Sequence, residues 1–290
     1  MSTLLERAPL APPRADGGRA VVTVGNFDGV HRGHRSVIRH ARRTADLLGL
    51  DRVLAVTFDP HPLLVLRPDR APRALSTVDE RVALLREAGV DDVLVLPFDR
   101  RIASWSPVEF VDRILVGGAG ARAVVVGDNF RFGNRAAGDV ALLTDLGAQR
   151  NFVARGVPVD GEGPHVWSST RVRNCLAAGD VAAAAETLGR PFSLAGTVFS
   201  RPGPTVTISV PAPMAVPAAG RYRALVRLRA GAPEVATAVD VLASGPEPAG
   251  HLLHAVLPDA VLPDAARDRS GDSVTVSFLA RLGPPPARKH

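Results

Sequence analysis

The segment at residues 21–34 constrains this chain most, because it joins a short apolar strand to a glycine-bearing turn and then to a predicted helix. A helix start exposes unpaired backbone N–H groups and the positive end of the peptide dipoles, so it attracts phosphate. We expect Gly25 and Gly29 to take backbone angles closed to other residues, and Gly33 to let a polyphosphate approach the main chain. This arrangement is typical of a nucleotide-phosphate site.

His31 and His34 are three residues apart and share one face of the first predicted helical turn. We favour donation from both imidazoles to a triphosphate, which would stabilise charge on the α-phosphoryl group and the leaving pyrophosphate without a covalent intermediate. One alternative is a metal site formed with Asp28 at Asp-x-x-His-x-x-His spacing. Another is an ordinary surface helix. Neither alternative explains the flanking glycines.

The composition indicates a globular chain of 290 residues, long enough for two domains, with 46% hydrophobic residues to fill their cores. No apolar run reaches the roughly 18 residues of a membrane-spanning helix. The first twenty residues lack an apolar signal-peptide core, so we predict a cytoplasmic protein without a membrane partner. Cys175 is the single cysteine, which excludes an internal disulfide and a multi-thiolate metal site.

The formal charge of +6 comes almost entirely from scattered arginines, since Lys289 is the only lysine. We predict no nucleic-acid partner, because no basic run carries interleaved aromatic residues. The shortage of lysine excludes a Walker A phosphate loop and leaves almost nothing for a Schiff base. Arginine, histidine, backbone N–H groups and a bound metal would have to meet phosphate charge, and small molecules are the predicted partners.

Strand and helix patterns alternate through the first part of the chain and predict a parallel sheet covered on both faces. Predicted strands at residues 20–24, 53–58, 93–96 and 123–126 alternate with helices around residues 37–48, 78–88 and 108–115. In such α/β domains the ligand lies at the carboxyl ends of the strands. After Gly189 short apolar segments alternate with Pro and Gly, which predicts a small antiparallel barrel or sandwich.

Four blocks of sequence resemble the prokaryotic FAD synthetases, which are members of the nucleotidyltransferase superfamily. The first two are Gly-Asn-Phe-Asp-Gly-Val-His-x-Gly-His at residues 25–34 and Thr-Phe-Asp-Pro-His-Pro at residues 57–62. The others are Val-Gly-Asp-Asn-Phe-Arg-Phe-Gly at residues 126–133 and Ser-Ser-Thr-Arg-Val-Arg at residues 168–173. The resemblance implies a Rossmann-like nucleotidyltransferase domain at residues 20–188 after a flexible arm at 1–19.

The resemblance also implies which residues form the site and what they bind. ATP and FMN would be the substrates and Mg²⁺ the cofactor, with Mg²⁺ near His61 or Asp59. Catalysis is assigned to His31, His34 and Arg173. Nucleotide binding is assigned to Gly25, Asn26, Phe27, Asp28, Gly33, Ser169 and Thr170. Acceptor binding is assigned to His61, Asn129, Phe130 and Phe132, with asparagine at 129 where many relatives have aspartate.

Several of these residues have a plainer interpretation. The Ser168–Arg173 block could simply begin a helix, since serine and threonine are good N-caps, although a capped helix start with two arginines is also a phosphate site. His61, between two prolines, could be a solvent-facing turn residue. Phe130 and Phe132 alternate in a way more typical of a packed core than of a flavin pocket.

The second half of the chain resembles the family's riboflavin kinase barrel, but without its catalytic parts. Residues 189–198 and 216–222 resemble two of its landmarks, and residues 199–208 between them lack the Pro-Thr-Ala-Asn motif that holds ATP and Mg²⁺. Ala249 stands in the place of the glutamate base, and losing such a base costs about 10² to 10⁴ in rate. We therefore predict a degenerate kinase-like barrel at residues 189–283 and a disordered tail at 284–290.

The sequence thus predicts an ATP-dependent nucleotidyltransferase that transfers AMP to the phosphate of FMN, giving FAD and pyrophosphate, without riboflavin kinase activity. A relative that uses another phosphorylated acceptor or another nucleoside triphosphate is one alternative. A non-catalytic flavin or nucleotide-binding protein is the other. The oligomeric state stays open at this point.

Overall fold

A computed structural model describes residues 19–158, 161–162, 165–200, 205–228, 231–242, 251–256 and 272–284. Nearly all of the predicted arm and of the predicted tail lie outside these ranges, as does Ala249. The chain divides into two compact units. The first comprises Met1–Pro72 and Val78–Trp167, and the second comprises Arg73–Thr77 and Ser168–His290.

Five parallel strands form the sheet of the first unit in the order β3-β2-β1-β4-β5, which confirms the predicted fold class. They are β1 (Ala20–Val24), β2 (Arg52–Asp59), β3 (Asp92–Pro97), β4 (Ala121–Gly127) and β5 (Val153–Val157). The strand order reverses beside β1, and ligands of open α/β sheets bind at such a point, outside the carboxyl ends of the strands. A short hairpin pairs β6 (Gly161–Glu162) with β7 (His165–Val166).

The strands of this sheet bury both faces, because successive side chains point to opposite sides. Val22 and Val24 belong to one apolar cluster with Leu54, whereas Val21 belongs to a second cluster with Val53. Strands buried on both sides read as continuous apolar runs, which is the pattern that the sequence shows.

Helices cover the two faces of the sheet. They are α1 (Arg32–Leu48), α2 (Pro62–Leu66), α3 (Val78–Glu87), α4 (Arg100–Ser104), α5 (Pro107–Phe110) and α6 (Val140–Gln149). Val111–Gly118 continues from α5 as a π-helical segment, and Pro68–Arg70 and Asn134–Ala136 form 3₁₀ turns. In α1 the buried stripe contains Ile38, Ala41 and Ala45, and the helix ends at Gly49 with φ +62°. Among the described helices, none has both the length and the apolar character needed to cross a membrane.

A closed six-stranded barrel forms the second unit, in the order β10-β11-β12-β9-β8-β13, as the sequence predicts. Its strands are β8 (Phe192–Ser200), β9 (Thr205–Val210), β10 (Gly220–Arg227), β11 (Glu234–Val241), β12 (His251–Val256) and β13 (Ser273–Gly283). Two helices, α7 (Ser169–Ala178) and α8 (Val181–Leu188), contribute Val172, Leu176 and Leu188 to the core of this unit.

Candidate nucleotide site at the tip of helix α1

The loop between β1 and α1 has an unusual backbone. Phe27, Gly29 and Val30 have φ of 49°, 77° and 41°. Gly29 confirms the predicted left-handed angle, but the prediction for Gly25 is wrong, because Gly25 is not among the residues with positive φ. A β-carbon on Gly25 would instead lie 3.2 Å from the ring of Phe27, so this glycine makes room for that ring. Val30 is β-branched and fully buried, so packing holds a strained backbone at the helix entrance.

His31 is the N-cap of α1 rather than a residue of its first turn. Its Nδ1 accepts from the backbone N–H of His34 at 3.3 Å, and its side chain is buried. A neutral imidazole that accepts at Nδ1 carries its proton on Nε2. Gly33 packs closely here, since an added β-carbon would lie 2.9 Å from the carbonyl oxygen of Trp167. The cap therefore fixes which nitrogen of His31 can donate.

The ring of His34 stacks on that of His31, with centroids 3.6 Å apart and planes 23° apart. The edge of Phe27 packs against His34 at 5.1 Å. Burial, followed by the charges of His31 and Arg81, lowers the pKa of His34 well below its ordinary value. Within the described ranges, the buried His34 Nδ1 has no hydrogen-bond partner. The stacked pair, with His31 buried and His34 half-buried, does not fit the surface-helix alternative, and it brings two ring donors to one helix tip.

Asn26 connects the first block to the second. Its side-chain amide lies 3.2 Å from His61 Nε2, and its carbonyl oxygen accepts from the Thr57 hydroxyl at 3.0 Å. His61 Nδ1 accepts from the N–H of Leu63 as the N-cap of α2, so the neutral ring carries its proton on Nε2. That N–H pairs with Asn26 when the amide is turned so that its oxygen, rather than Nδ2, faces the ring. His61 is half-buried and follows Asp59 and Pro60, which are joined by a cis bond.

Arg81 is a residue of this region that the sequence analysis missed. It is 7% exposed, and its Nη1 donates to the Thr57 hydroxyl at 3.1 Å and to the carbonyl oxygen of Phe58 at 2.8 Å. Burial lowers its pKa, whereas the charges of Asp28 and Asp59 raise it. One signal was present in the sequence: Arg81 lies within the apolar face of α3, next to buried residues.

The first unit offers few ligands for a metal ion. Among the residues described, no group of three His, Cys, Asp or Glu side chains is arranged to hold one, so the metal site of Asp28, His31 and His34 is not formed. Asp28 is buried, and both Asp28 and Asp59 lie close enough to Arg81 to act on its charge. Mg²⁺ commonly keeps several waters and binds through one or two carboxylates together with substrate phosphates. These donors fit an ion that arrives on a nucleotide's phosphates.

The third block lies beyond β4, also at the carboxyl edge of the sheet. Asn129 is exposed and Phe130 is half-buried. Phe132 is buried in the core of the first unit, and its ring stacks on Phe130 with centroids 5.4 Å apart. The packing favours a core role for Phe132, while Phe130 and Asn129 keep surface at the edge where motif residues lie.

The fourth block belongs to the second unit, at the start of α7. Ser168 is the N-cap and accepts from the N–H of Arg171 at 3.1 Å, so the capping interpretation is correct. Arg171 Nε donates to Thr187, and Arg173 Nε donates to the carbonyl oxygen of Arg73 at 2.7 Å. Ser169 is half-buried and Thr170 is exposed. The helix start thus exists as predicted, and its role toward phosphate stays a prediction.

A cleft of about 440 Å³ lies in the second unit. Arg73, Arg173 and His251 line its polar part, and Arg73 Nη1 lies 2.5 Å from His251 Nε2. The Val216–Ala219 segment forms much of its apolar wall. His251 is buried at the start of β12, two positions after Ala249 in the sequence.

Known proteins resemble this chain in both sequence and structure. The family described as FAD synthetase matches residues 14–171. Proteins named bifunctional riboflavin kinase/FMN adenylyltransferase are 43% identical over 186 residues in Pseudomonas fluorescens and 39% identical over 178 residues in Escherichia coli K12. These matches cover 62% and 61% of this chain but only 57% and 56% of those proteins, so the chain spans less than two thirds of their length.

Two further matches extend over more of the chain. A protein of the same name from Haemophilus influenzae is 32% identical over 219 residues, which cover 72% of this chain and 70% of that protein. A crystal structure described as a macrolide-efflux protein from Streptococcus pneumoniae has a TM-score of 0.78 at 25% identity, and covers 94% of this chain and 88% of that one. Since the family match spans more than half of the sequence, the chain belongs to the FAD synthetase family.

Proposed function

We propose that this protein is an ATP-dependent FMN adenylyltransferase, which transfers AMP to the phosphate of FMN and releases pyrophosphate. The observation that carries the proposal is the stacked pair His31 and His34 at the tip of α1. The tip follows β1, where the strand order of the parallel sheet reverses. Family membership supports the same reaction class, since the named relatives are FMN adenylyltransferases.

The chemistry of this transfer needs positioned charge rather than a protein nucleophile. A phosphate oxygen of FMN attacks the α-phosphorus of ATP, and the bond from that phosphorus to the α,β-bridging oxygen breaks, so that pyrophosphate leaves with the bridging oxygen. His31 would donate from Nε2 and His34 from its half-buried ring to the phosphate oxygens that gain charge. Backbone N–H groups at the start of α1 add partial positive charge.

Other predicted residues take supporting roles in this proposal. Ser169, Thr170 and Arg173 would hold the triphosphate, and His61, fixed against Asn26, would face the acceptor phosphate. Phe130 and Asn129 would contact the flavin acceptor. Mg²⁺ would enter as the ATP complex, and Asp59 is a carboxylate at the same sheet edge that would reach it through water.

The direct test supplies purified protein with MgATP and FMN and measures FAD and pyrophosphate. We expect both products in equal amounts, and we expect His31→Gln and His34→Gln each to lower kcat by about 10² to 10³, as the loss of one charge-stabilising donor does. His40→Gln is the matched control, since His40 lies on α1 and its Nδ1 lies 2.9 Å from the carbonyl oxygen of Ser36 on the same helix. Equal turnover in all four proteins would overturn the assignment of the pair.

We further propose that the barrel has no riboflavin kinase activity. The Pro-Thr-Ala-Asn motif and the glutamate base are absent from the sequence, although the barrel is closed and His251 is in place. Its role would be structural, in shaping the flavin site or supporting assembly. Riboflavin with MgATP should give neither FMN nor FAD under conditions in which FMN gives FAD. Formation of FMN would contradict this.

A second candidate is the same transfer to another small phosphorylated acceptor, or from another nucleoside triphosphate. The missing kinase residues favour it, since a chain that does not make FMN need not consume it. Pyrophosphate release measured across nucleotides and phosphorylated acceptors separates the two candidates. Tight binding of ATP or FMN without pyrophosphate release from any donor would indicate a binding protein instead.

A further inference from the structure

The guanidinium of Arg81 joins elements that are far apart in sequence. It projects from α3, and its Nη1 bonds both the side chain of Thr57 and the carbonyl oxygen of Phe58 at the end of β2. The Thr57 hydroxyl in turn donates to the backbone carbonyl oxygen of Asn26. Asn26 in turn meets His61. Four residues from β2, α3 and two loops are therefore linked in series, through the backbone carbonyl of Asn26 on one side and its side chain on the other.

The same guanidinium places a fixed positive charge near the stacked imidazoles. The charges of Arg81 and His31 both act on His34, and those of Asp28 and Asp59 act on Arg81. Arg81 is only 7% exposed, so water screens its charge poorly. Its Nε is buried without a hydrogen-bond partner in the described part of the chain, as is His34 Nδ1. Buried polar atoms of this kind call for an explanation.

We propose that Arg81 is a positioning residue of this site, a buried cation that fixes the Asn26 and His61 ends of the two loops and keeps a second positive charge off His34. The role of Arg81 in catalysis rests on the proposed function, whereas its contacts and its charge are independent of that function. A neutral His34 has one N–H to donate, and it gains full charge only when an anion arrives to offset Arg81. The site would thus stay open to a triphosphate without holding three adjacent charges beforehand.

The test measures the titration of His34 in the full chain, without any substrate, by NMR of histidine ring nitrogens. His34→Gln identifies the resonance among the eight histidines. In the wild type, we expect His34 to stay neutral well below the ordinary histidine pKa. In Arg81→Gln, the pKa of His34 should rise in part, because one repelling charge is gone while burial and His31 still lower it.

Two variants separate charge from structure. Arg81→Lys keeps the charge and loses the planar fork, so the pKa of His34 should stay low. Arg86→Gln removes an exposed arginine from the same helix and should leave the titration of His34 unchanged. If Arg81→Gln leaves His34 unmoved, or if the lysine variant behaves as the glutamine variant does, the proposal is overturned. A wild-type His34 that titrates in the ordinary range overturns it even if no Arg81 variant folds.

Enzyme activity gives a second readout, and its outcome is independent of the NMR titration of His34. If the protein makes FAD, we expect Arg81→Gln to lower kcat/KM by about 10², the loss that small misplacement of reacting groups causes, and Arg81→Lys to recover part of it. The acid limb of the pH profile of kcat/KM should shift to higher pH in the glutamine variant and should not shift in the lysine variant. If the wild type is inactive with every acceptor, the proposed function fails while the NMR titration still decides the role of Arg81.

Discussion

The rings of His31 and His34 stack with their centroids 3.6 Å apart. Two imidazolium ions at that distance would repel strongly, so the pair holds at most one extra proton until an anion binds. The N-cap bond from the His34 N–H to His31 Nδ1 sets the same limit, because a protonated Nδ1 cannot accept. A site built in this way avoids two adjacent imidazolium charges, and a bound phosphate would offset a second proton.

We expect His34 to make the free energy of unfolding depend on pH below about 6.5. Since the pKa of His34 is lowered in the folded chain, the unfolded chain binds this proton first as the pH falls. The contribution of neutral His34 to the free energy of unfolding is complete above its ordinary pKa. It is lost as the pH falls toward the lower pKa of His34 in the folded chain. Urea unfolding at several pH values measures the slope, which should be smaller in His34→Gln. An unchanged slope would contradict the burial of this ring.

Replacing Gly33 by alanine should destabilise the protein, although alanine normally favours a helix by about 1 kcal/mol. The added β-carbon would lie 2.9 Å from the Trp167 carbonyl oxygen and 3.1 Å from the His31 ring. We expect a loss of about 1 to 3 kcal/mol, typical of overpacking, and a fall in pyrophosphate release. Thermal unfolding measures the first effect. Gly89→Ala is a useful comparison, since its φ of 102° strains the backbone but no atom meets its β-carbon.

Thr57→Val should cost about 1 to 3 kcal/mol of stability, because it leaves buried polar partners unsatisfied. The Thr57 hydroxyl accepts from Arg81 and donates to the carbonyl oxygen of Asn26. Valine keeps the shape of threonine, and Thr57→Ser keeps the hydroxyl. Chemical denaturation should therefore rank the wild type and serine variant above the valine variant. A valine variant as stable as the wild type would show that this hydroxyl contributes little.

Tyr222 reports on the barrel, because it is the single tyrosine of the chain. Its ring is fully buried, and its hydroxyl donates to the carbonyl oxygen of Ala218 at 2.6 Å. Burial raises the pKa of Tyr222, with Arg281 opposing the shift. In the folded protein, we expect the ultraviolet signal of tyrosinate to appear at a pH above the ordinary tyrosine pKa. In urea, the midpoint of this titration should return to the ordinary pKa. Stability should then fall as the pH rises through about 10. A normal titration in the folded protein would argue against this burial.

Local patterns in the sequence were enough to predict the main elements of the first unit. The strand at residues 20–24 is found unchanged as β1, and the predicted helix at 78–88 is α3. Apolar periodicity carries this information because burial on a sheet or helix repeats at fixed spacing. The strand β5 and the short helices α2 and α4 were missed, since helices of five residues and half-exposed strands leave little periodicity.

The site was predicted less completely than the fold. His31, His34 and Gly29 stand out in one short segment, and their order predicts a phosphate-binding helix start. Gly25 was misjudged because a glycine can be needed for lack of a side chain as well as for an unusual backbone angle. Only the position of the Phe27 ring shows that Gly25 is needed for the first reason. The capping role of Ser168 was readable, whereas the contact of Arg173 with the Arg73 carbonyl joins residues a hundred positions apart.

The sequence by itself determined the parallel sheet, the barrel and the histidine-bearing helix tip, because each depends on periodicity or on neighbours within a few residues. Only the tertiary structure decided that Arg81 lies beside this tip and that Asn26 meets His61. These contacts depend on the register of β1 against β2 and on the packing of α3. Local propensity does not encode such long-range distances, and burial together with the nearby charges of His31 and Arg81 lowers the pKa of His34.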